Sequence, residues 1–286
     1  MRTHNQTNHL LGYPSDARLL IINADDLGMC HAVNAAVFQA FAEGFLCSAT
    51  LMLPCAWSLH ALHFLRDHPE FPFGVHLTAV SDWADYRWGP VAPQENVPSL
   101  INQAGHFYNF EQMPAFLAQV SLDELEMEFR AQIEAVLAAG LQPTHLDWHS
   151  LRISQRPDIS DVMLGLAREY GLALRVYGRS QITKVQHLGL PCNDHGFLDS
   201  YLLDPATKFA HYRQLLRELP PGLSEWAIHP GLDNAELQAI DPGGSHIRQI
   251  DFEFLISQQA QDVIEEEGII LLDYRALQTV WRNIKE

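Results

Sequence analysis

The sequence predicts an α/β fold of about seven parallel strands with helices between them, and three observations predict it. Short apolar runs of strand length alternate with longer segments of helical period. No interval has the composition of a flexible linker, so residues 18–286 read as one domain behind a polar, frayed tail over 1–17. Side chains able to bind metal or move protons fall at the ends of the predicted strands, which a parallel sheet gathers on one rim. A closed or partly closed barrel and an open doubly wound sheet both satisfy this periodicity.

Taken in order, the tail lacks the apolar segment of a secretory signal. Leu19-Leu20-Ile21-Ile22 predicts the first strand, and Ala32 to Glu43 predicts a helix with Gly44 as its stop. Ser48 to Leu53 is a second strand, Trp57 to Asp67 a helix, and Phe73 to Leu77 a third strand. From Thr78 to about Phe110 runs a loop rich in Trp, Tyr, Pro and Gly, a length that compact domains reserve for binding. Ser121 and Glu124 form an S-x-x-E capping box that opens a helix to Ala139, with Gly140 behind it. A strand at Thr144 to Leu146, a helix from Pro157 to Tyr170 with proline in its first turn, and a strand at Leu172 to Val176 repeat the unit. Ala206 to Leu219 reads as helix, Leu223 to Ile228 as strand, Asp251 to Glu267 as helix, Ile269 to Leu272 as strand, and Tyr274 to Asn283 as the closing helix.

Composition narrows the class of partner. A formal charge of -17 repels phosphate backbones and anionic headgroups, which argues against general nucleic-acid binding and membrane-surface attachment. The most apolar stretch, Phe45 to Trp57, is broken by Ser48, Thr50 and Pro54 and is too short for a membrane span. Cys30, Cys47, Cys55 and Cys192 have neither C-x-x-C spacing nor the density of a disulfide framework, which fits reduced thiols in a cytoplasm.

The strand ends carry the chemistry. Asn23-Ala24-Asp25-Asp26 follows the first strand, His76 the third, and His145-Leu146-Asp147-Trp148-His149 the fourth; Arg175 ends the fifth and His229 the sixth. Any one of 15 histidines at a strand end is more simply a hydrogen-bonded structural residue, and an Asp-Asp pair after a strand is as simply a helix cap. Here Gly28 and the lag before Ala32 leave room for a loop, so both carboxylates need not be caps. In an extended chain residues 145, 147 and 149 share one face, and three buried ionisable groups are costly unless something cationic pairs with them. A divalent metal would supply that charge. One carboxylate with two neutral imidazoles suits zinc, manganese, cobalt or nickel, with magnesium a less natural fit. Hydrolysis at such a metal needs a base for the water proton and an acid for the leaving nitrogen, and Asp25 and His229 are the candidates. No G-x-S-x-G elbow, Walker phosphate loop, G-x-G-x-x-G fingerprint or H-E-x-x-H helix is present, which removes serine-hydrolase, nucleotide-triphosphatase and classical dehydrogenase readings.

From about Leu19 onward, Ile22-Asn23-Ala24-Asp25-Asp26-Leu27-Gly28, Gly74-Val75-His76-Leu77 and Pro143-Thr144-His145-Leu146-Asp147-Trp148-His149 resemble the motifs of the YdjC/ChbG-type carbohydrate deacetylases, relatives of the polysaccharide deacetylases. The resemblance implies a distorted (β/α) barrel with its active site at the carboxyl ends of the strands. It implies a divalent metal held by Asp26, His76 and His149, with Asp25 as general base. His229-Pro230 looks like the family's late His-Pro element, which implies His229 as the acid. Arg175 would steady Asp25 or the substrate, and a homodimer is compatible. The implied reaction removes N-acyl groups, N-acetyl above all, from an amino-sugar-containing carbohydrate.

The chain departs from the family's D-S-H-x-H-x-H pattern by reading Asp147-Trp148-His149-Ser150-Leu151-Arg152-Ile153, which keeps the ligand but alters the sugar pocket. Trp148 is a candidate sugar contact; Trp83, Tyr86 and Trp88 are either stacking platforms or the packing core of their loop. Two other readings stay open: hydrolysis of a different bond at the same metal, and a non-catalytic sugar-binding protein.

Overall fold

A computed structural model describes residues 6–283. Its strands are β1 (Arg18–Leu27), β2 (Ser48–Leu51), β3 (Phe73–Leu77), β4 (His145–Trp148), β5 (Ala173–Leu174), β6 (Leu198–Asp199), β7 (Gly222–Ile228) and β8 (Ile270–Leu271). The helices are α1 (Gln6–Leu11), α2 (His31–Glu43), α3 (Ser58–Asp67), α4 (Met113–Gln119), α5 (Leu122–Ala138), α6 (Pro157–Tyr170), α7 (Arg179–His187), α8 (Lys208–Arg217), α9 (Ala235–Ile240), α10 (Ser245–Leu255), α11 (Gln258–Glu266) and α12 (Tyr274–Asn283).

All strand pairs are parallel and run in the order β5-β4-β3-β2-β1-β7-β6, with β8 paired to the start of β1 on the side that β2 occupies further along. The path is a barrel with one unsewn seam, because β5 pairs only with β4 and β6 only with β7. This is the distorted (β/α) barrel that the family resemblance implied, curled but not closed. Polar side chains and loop backbone fill the seam. Asn193 donates to the carbonyl of Val176 and accepts from its amide, while Asp194 bonds both backbone groups of Leu223, through its own N–H and its carboxylate. Strand-end hydrogen bonds that a neighbouring strand would make are thus supplied by one loop.

Burial explains why the central strand β1 carries a continuous apolar run. Leu19, Leu20, Ile21 and Ile22 are all solvent-inaccessible, as expected where helices cover the outside and side chains fill the inside. Each such side chain contributes about 1.5–3 kcal/mol of burial free energy. β7 lies alongside β1 in register from Arg18↔Gly222 to Ala24↔Ile228, so the ends of these two strands reach the rim together.

Three expectations change. The sequence predicts a frayed tail over 1–17, and its first five residues lie outside those described. From Gln6 onward the segment is ordered: Thr7 and Asn8 are fully buried, Thr7 bonds Cys192, and Asn8 donates to the carbonyls of Pro14 and Ala17. Its polar composition disguises a plug that docks under the seam rather than a solvated tail. The single helix expected over Asp251 to Glu267 is two helices, because the Ser257 hydroxyl accepts from the amide of Ala260 and caps α11. The capping box of α5 is half made. Ser121 accepts from the Glu124 amide, but the Glu124 carboxylate reaches the amide of Ser99 at 2.6 Å, tying the long loop down instead.

Candidate metal centre and active site

The Asp25-Asp26 pair belongs to β1 rather than to a loop beyond it, and neither residue caps α2, whose N-cap is Cys30. Successive strand residues normally face opposite sides. Here the pairing of β1 with β2 slips between Ala24 and Leu27, and Asp26 sits at φ 68°. A bulge with a left-handed residue lets both carboxylates line the same cavity, at a cost in backbone strain that clusters at functional sites. Gly28 makes the exit possible, since its φ is 94° and a Cβ there would meet Leu51 Cδ1 at 2.9 Å.

The imidazoles come from β3, which carries His76, and from His149, the residue after β4. Asp26 Oδ1 lies 3.4 Å from His76 Nε2 and 3.1 Å from His149 Nδ1. Donor atoms of these three buried residues all lie within 4.8 Å of one another. The second nitrogen of each ring is engaged by a carboxylate: His76 Nδ1 with Asp147 at 2.7 Å, and His149 Nε2 with Asp82 at 3.0 Å. In metal centres this arrangement fixes tautomer and ring orientation, so that the free nitrogen presents its lone pair to the cation. The donor set therefore fits a divalent metal on the chemistry of the residues themselves.

A second trio, Asp25, His76 and Asp147, is also close enough to share a cation. That position is taken. Arg175 forks onto Asp25 at 2.7 and 2.8 Å, reaches Asp147 at 2.9 Å and donates through Nε to Glu225 at 2.7 Å. Part of the cationic charge expected to sit among the H-x-D-x-H residues is thus a guanidinium. With four contacts to three carboxylates, Arg175 holds Asp25 in place while still lining the cavity.

The third member of that strand face is also not a ligand. His145 stacks on Tyr274 with centroids 3.6 Å apart, and burial, aided by Arg175, pushes it well below the usual histidine range, so it is neutral. A Cβ at Gly74 would fall 2.6 Å from this ring, so glycine there is required for the packing beneath the metal site.

The electrostatics follow from the same contacts. Burial opposes ionisation of Asp26 and Asp25, but Arg248 beside the first and Arg175 on the second hold both carboxyls below the usual range. Burial would also depress the two histidines. Asp147, Asp26 and Asp25 override it at His76 and raise it to about 10, while Asp82 and Asp26 raise His149 to about 9. Without a metal this acidic ring attracts protons onto the imidazoles, and a divalent cation is the natural substitute for those protons.

The cavity has a volume of about 580 Å³ and is lined by Asp25, Asp26, His76, His149, Arg175, His229 and Arg248 at its polar end. His229, at the end of β7, places Nδ1 3.3 Å from the Ser200 hydroxyl and 3.8 Å from Asp199. Trp148 lines the wall with Phe197, and Tyr177 continues this ring contact to the mouth. Of Trp83, Tyr86 and Trp88, Trp83 alone lines the cavity. Trp88 is buried and donates to the Val80 carbonyl, and Tyr86 donates to that of Met29, so both serve the packing of the loop.

Sequence reading missed Arg248, which donates to Asp26 Oδ2 at 2.8 Å, and Asp82, the orienter of His149. It also gave Asp147 no task. The signal for Asp147 was present, two residues before a ligand on the same strand face; Arg248 is 222 residues from Asp26 and had none.

The four cysteines form no disulfide, and burial pushes the thiols up, Cys30 to about 11 and Cys47 to about 12. Among the described residues no helix is long and apolar enough to cross a membrane.

The chain is 33% identical over 267 residues to a carbohydrate deacetylase of Enterococcus faecalis, covering 90% of this chain and 97% of that one. It is 26% identical over 263 residues to a chitooligosaccharide deacetylase of Serratia marcescens, covering 91% and 99%. A crystal structure from Enterococcus faecalis V583, described as that of a candidate cellobiose-phosphate cleavage protein, superposes with a TM-score of 0.78 at 31% identity over 91% of this chain and 99% of that one. A model of the YdjC-like protein family matches residues 19–266, and the chain belongs to that family.

Proposed function

We propose that the protein is a metal-dependent deacetylase that removes the N-acetyl group from an amino-sugar-containing carbohydrate. The observation that carries this reading is the meeting of Asp26, His76 and His149 donor atoms, with each imidazole turned toward the common point by its own carboxylate. The names of the relatives, carbohydrate and chitooligosaccharide deacetylases, support the substrate class.

On this reading Asp26, His76 and His149 hold the cation, which when bound supplies a Lewis acid for the acyl oxygen and lowers the pKa of water. Asp25, kept ionised by Arg175, accepts the proton of the attacking water. His229, which follows the strand paired with β1, gives a proton to the departing nitrogen. Arg248 holds Asp26 so that Oδ1 faces the two imidazoles. The Trp148 and Phe197 rings form an apolar wall for the sugar. We read residues 18–286 as one domain acting in a cytoplasm; the shared hydrophobic core, which runs from Leu19 to Trp281, supports the single domain.

Purified protein loaded with divalent metal is expected to release acetate from N-acetylated amino sugars, to stop when the metal is chelated, and to be inactive as His76→Ala or His149→Ala. Absence of acetate release across a broad panel of acetylated saccharides and metals would overturn the reading.

A further inference from the structure

Behind His229 lies a buried polar network that the reaction above does not use. Lys208 and Asp251 are both fully buried and pair at 2.6 Å. Such a pair gains little over an apolar packing, so its remaining contacts show what it holds in place. Asp251 Oδ1 accepts from Lys208 and from the Tyr212 hydroxyl at 2.8 Å; Oδ2 accepts from the His229 amide at 2.9 Å and from the Ser200 hydroxyl at 2.8 Å. Four donors on one carboxylate is close to its full capacity.

Ser200 is itself fully buried and has one hydroxyl proton, already given to Asp251. Toward His229 Nδ1, 3.3 Å away, it can offer only lone pairs, so Nδ1 must carry the hydrogen. The other groups that face this ring do not change the result. Asp199, 3.8 Å from Nδ1, is also an acceptor; Tyr201 meets the ring edge-on at 5.5 Å and gives its hydroxyl to Asp241; Asp25 interacts with His229 only through charge.

We infer that Ser200 is a positioning residue: anchored by the Lys208–Asp251 pair, it fixes the His229 proton on Nδ1 and leaves Nε2 to exchange a proton with the substrate. The inference rests on the reading of His229 as general acid. In that step the C–N bond breaks, its electron pair stays on nitrogen, and that nitrogen takes the proton from Nε2. His229 is left neutral with its remaining proton on Nδ1, facing Ser200, and is protonated again at Nε2 from water. The tautomer enforced by Ser200 is therefore the conjugate base of the acid required.

The test pairs nitrogen-15 NMR of labelled histidine with kinetics. The His229 signal, identified by its loss in His229→Gln, is expected to show the Nδ1–H tautomer in the intact protein and a shift toward Nε2–H in Ser200→Ala. For hydrolysis of an N-acetylated amino sugar, Ser200→Ala is expected to lower kcat by about 10–100-fold with little change in KM, while Ser200→Thr, which keeps a hydroxyl, restores most of the loss. An aryl acetate, whose leaving group needs no proton, is expected to lose far less. A wild-type His229 found as Nε2–H overturns the inference even if Ser200→Ala does not fold, and so does an equal loss on amide and aryl ester. If the wild-type protein hydrolyses no acetylated sugar, the functional reading fails, while the tautomer still decides the assignment of Ser200.

Discussion

At the scale of single residues, adjacent carboxylates have been given different work by different cations. Asp26 shares Oδ2 with Arg248 and turns Oδ1 to the imidazoles, whereas both oxygens of Asp25 are gripped by Arg175. In the proposed mechanism a ligand and a base side by side are distinguished by who holds them. Asp25→Asn is expected to keep its metal, measured by elemental analysis, while kcat falls by about a hundred- to ten-thousandfold. Loss of the metal together with activity would make Asp25 a ligand and end the division of roles. Arg175→Lys tests the same point from the other side. A lysine keeps the charge but not the two-pronged geometry, so kcat is expected to fall with KM nearly unchanged and without loss of metal. A variant with wild-type kcat would show that charge alone suffices.

At the scale of elements, α5 anchors the loop that completes the site. Glu128 of α5 is fully buried and accepts from the amides of Val91 and Ala92 at 3.0 and 2.8 Å, and Gln132, one turn on, bonds both backbone groups of Thr78. Asp82, which orients His149, lies between these anchors. Glu128→Ala leaves the amides of Val91 and Ala92 without their acceptor, so native-state hydrogen exchange is expected to lose protection at both while the β1 amides keep theirs. Retained protection at both amides would show that the loop is held by its own packing around Trp88 and Phe107. The long loop was legible in the sequence as a binding segment, but its anchors were not, because they are polar residues on the inner face of a helix that reads as ordinary. The same physics sorts the other elements. The first strand was readable because burial on both faces makes Leu19 to Ile22 a continuous apolar run, while the third and seventh are buried throughout but carry His76 and Ser224-Glu225 within them. β6 has two residues, half-buried and exposed, and carries no period, and α7 is too polar to show one. The positions proposed as metal ligands were readable because strand ends collect them, and Arg248 was not, because it enters from α10, upstream of where the helical pattern becomes visible.

On the scale of the whole molecule, folding gathers four carboxylates around two imidazoles, and this couples stability to pH in a direction that a metal reverses. His76 and His149 rise in the folded state to about 10 and about 9, from about 6.5 in an unfolded chain. A group raised in this way stabilises the fold fully below its unfolded value and loses that contribution as pH rises through its folded value. Metal-free protein is therefore expected to lose Tm steadily from about pH 6.5 toward pH 10. Asp25 and Asp26 are held low, so their contribution is present above about pH 4 and lost only on strong acidification. Bound metal requires both imidazoles neutral, so protons compete with it and its stabilisation grows as pH rises. The gap in Tm between metal-loaded and chelator-stripped protein should widen between pH 6 and pH 9, with proton release on metal binding measurable by calorimetry in buffers of different ionisation enthalpy. A stripped protein whose Tm stays flat over that range would mean the two histidines are already neutral without metal. The carboxylate ring would then be too weak to act as the cation trap described here.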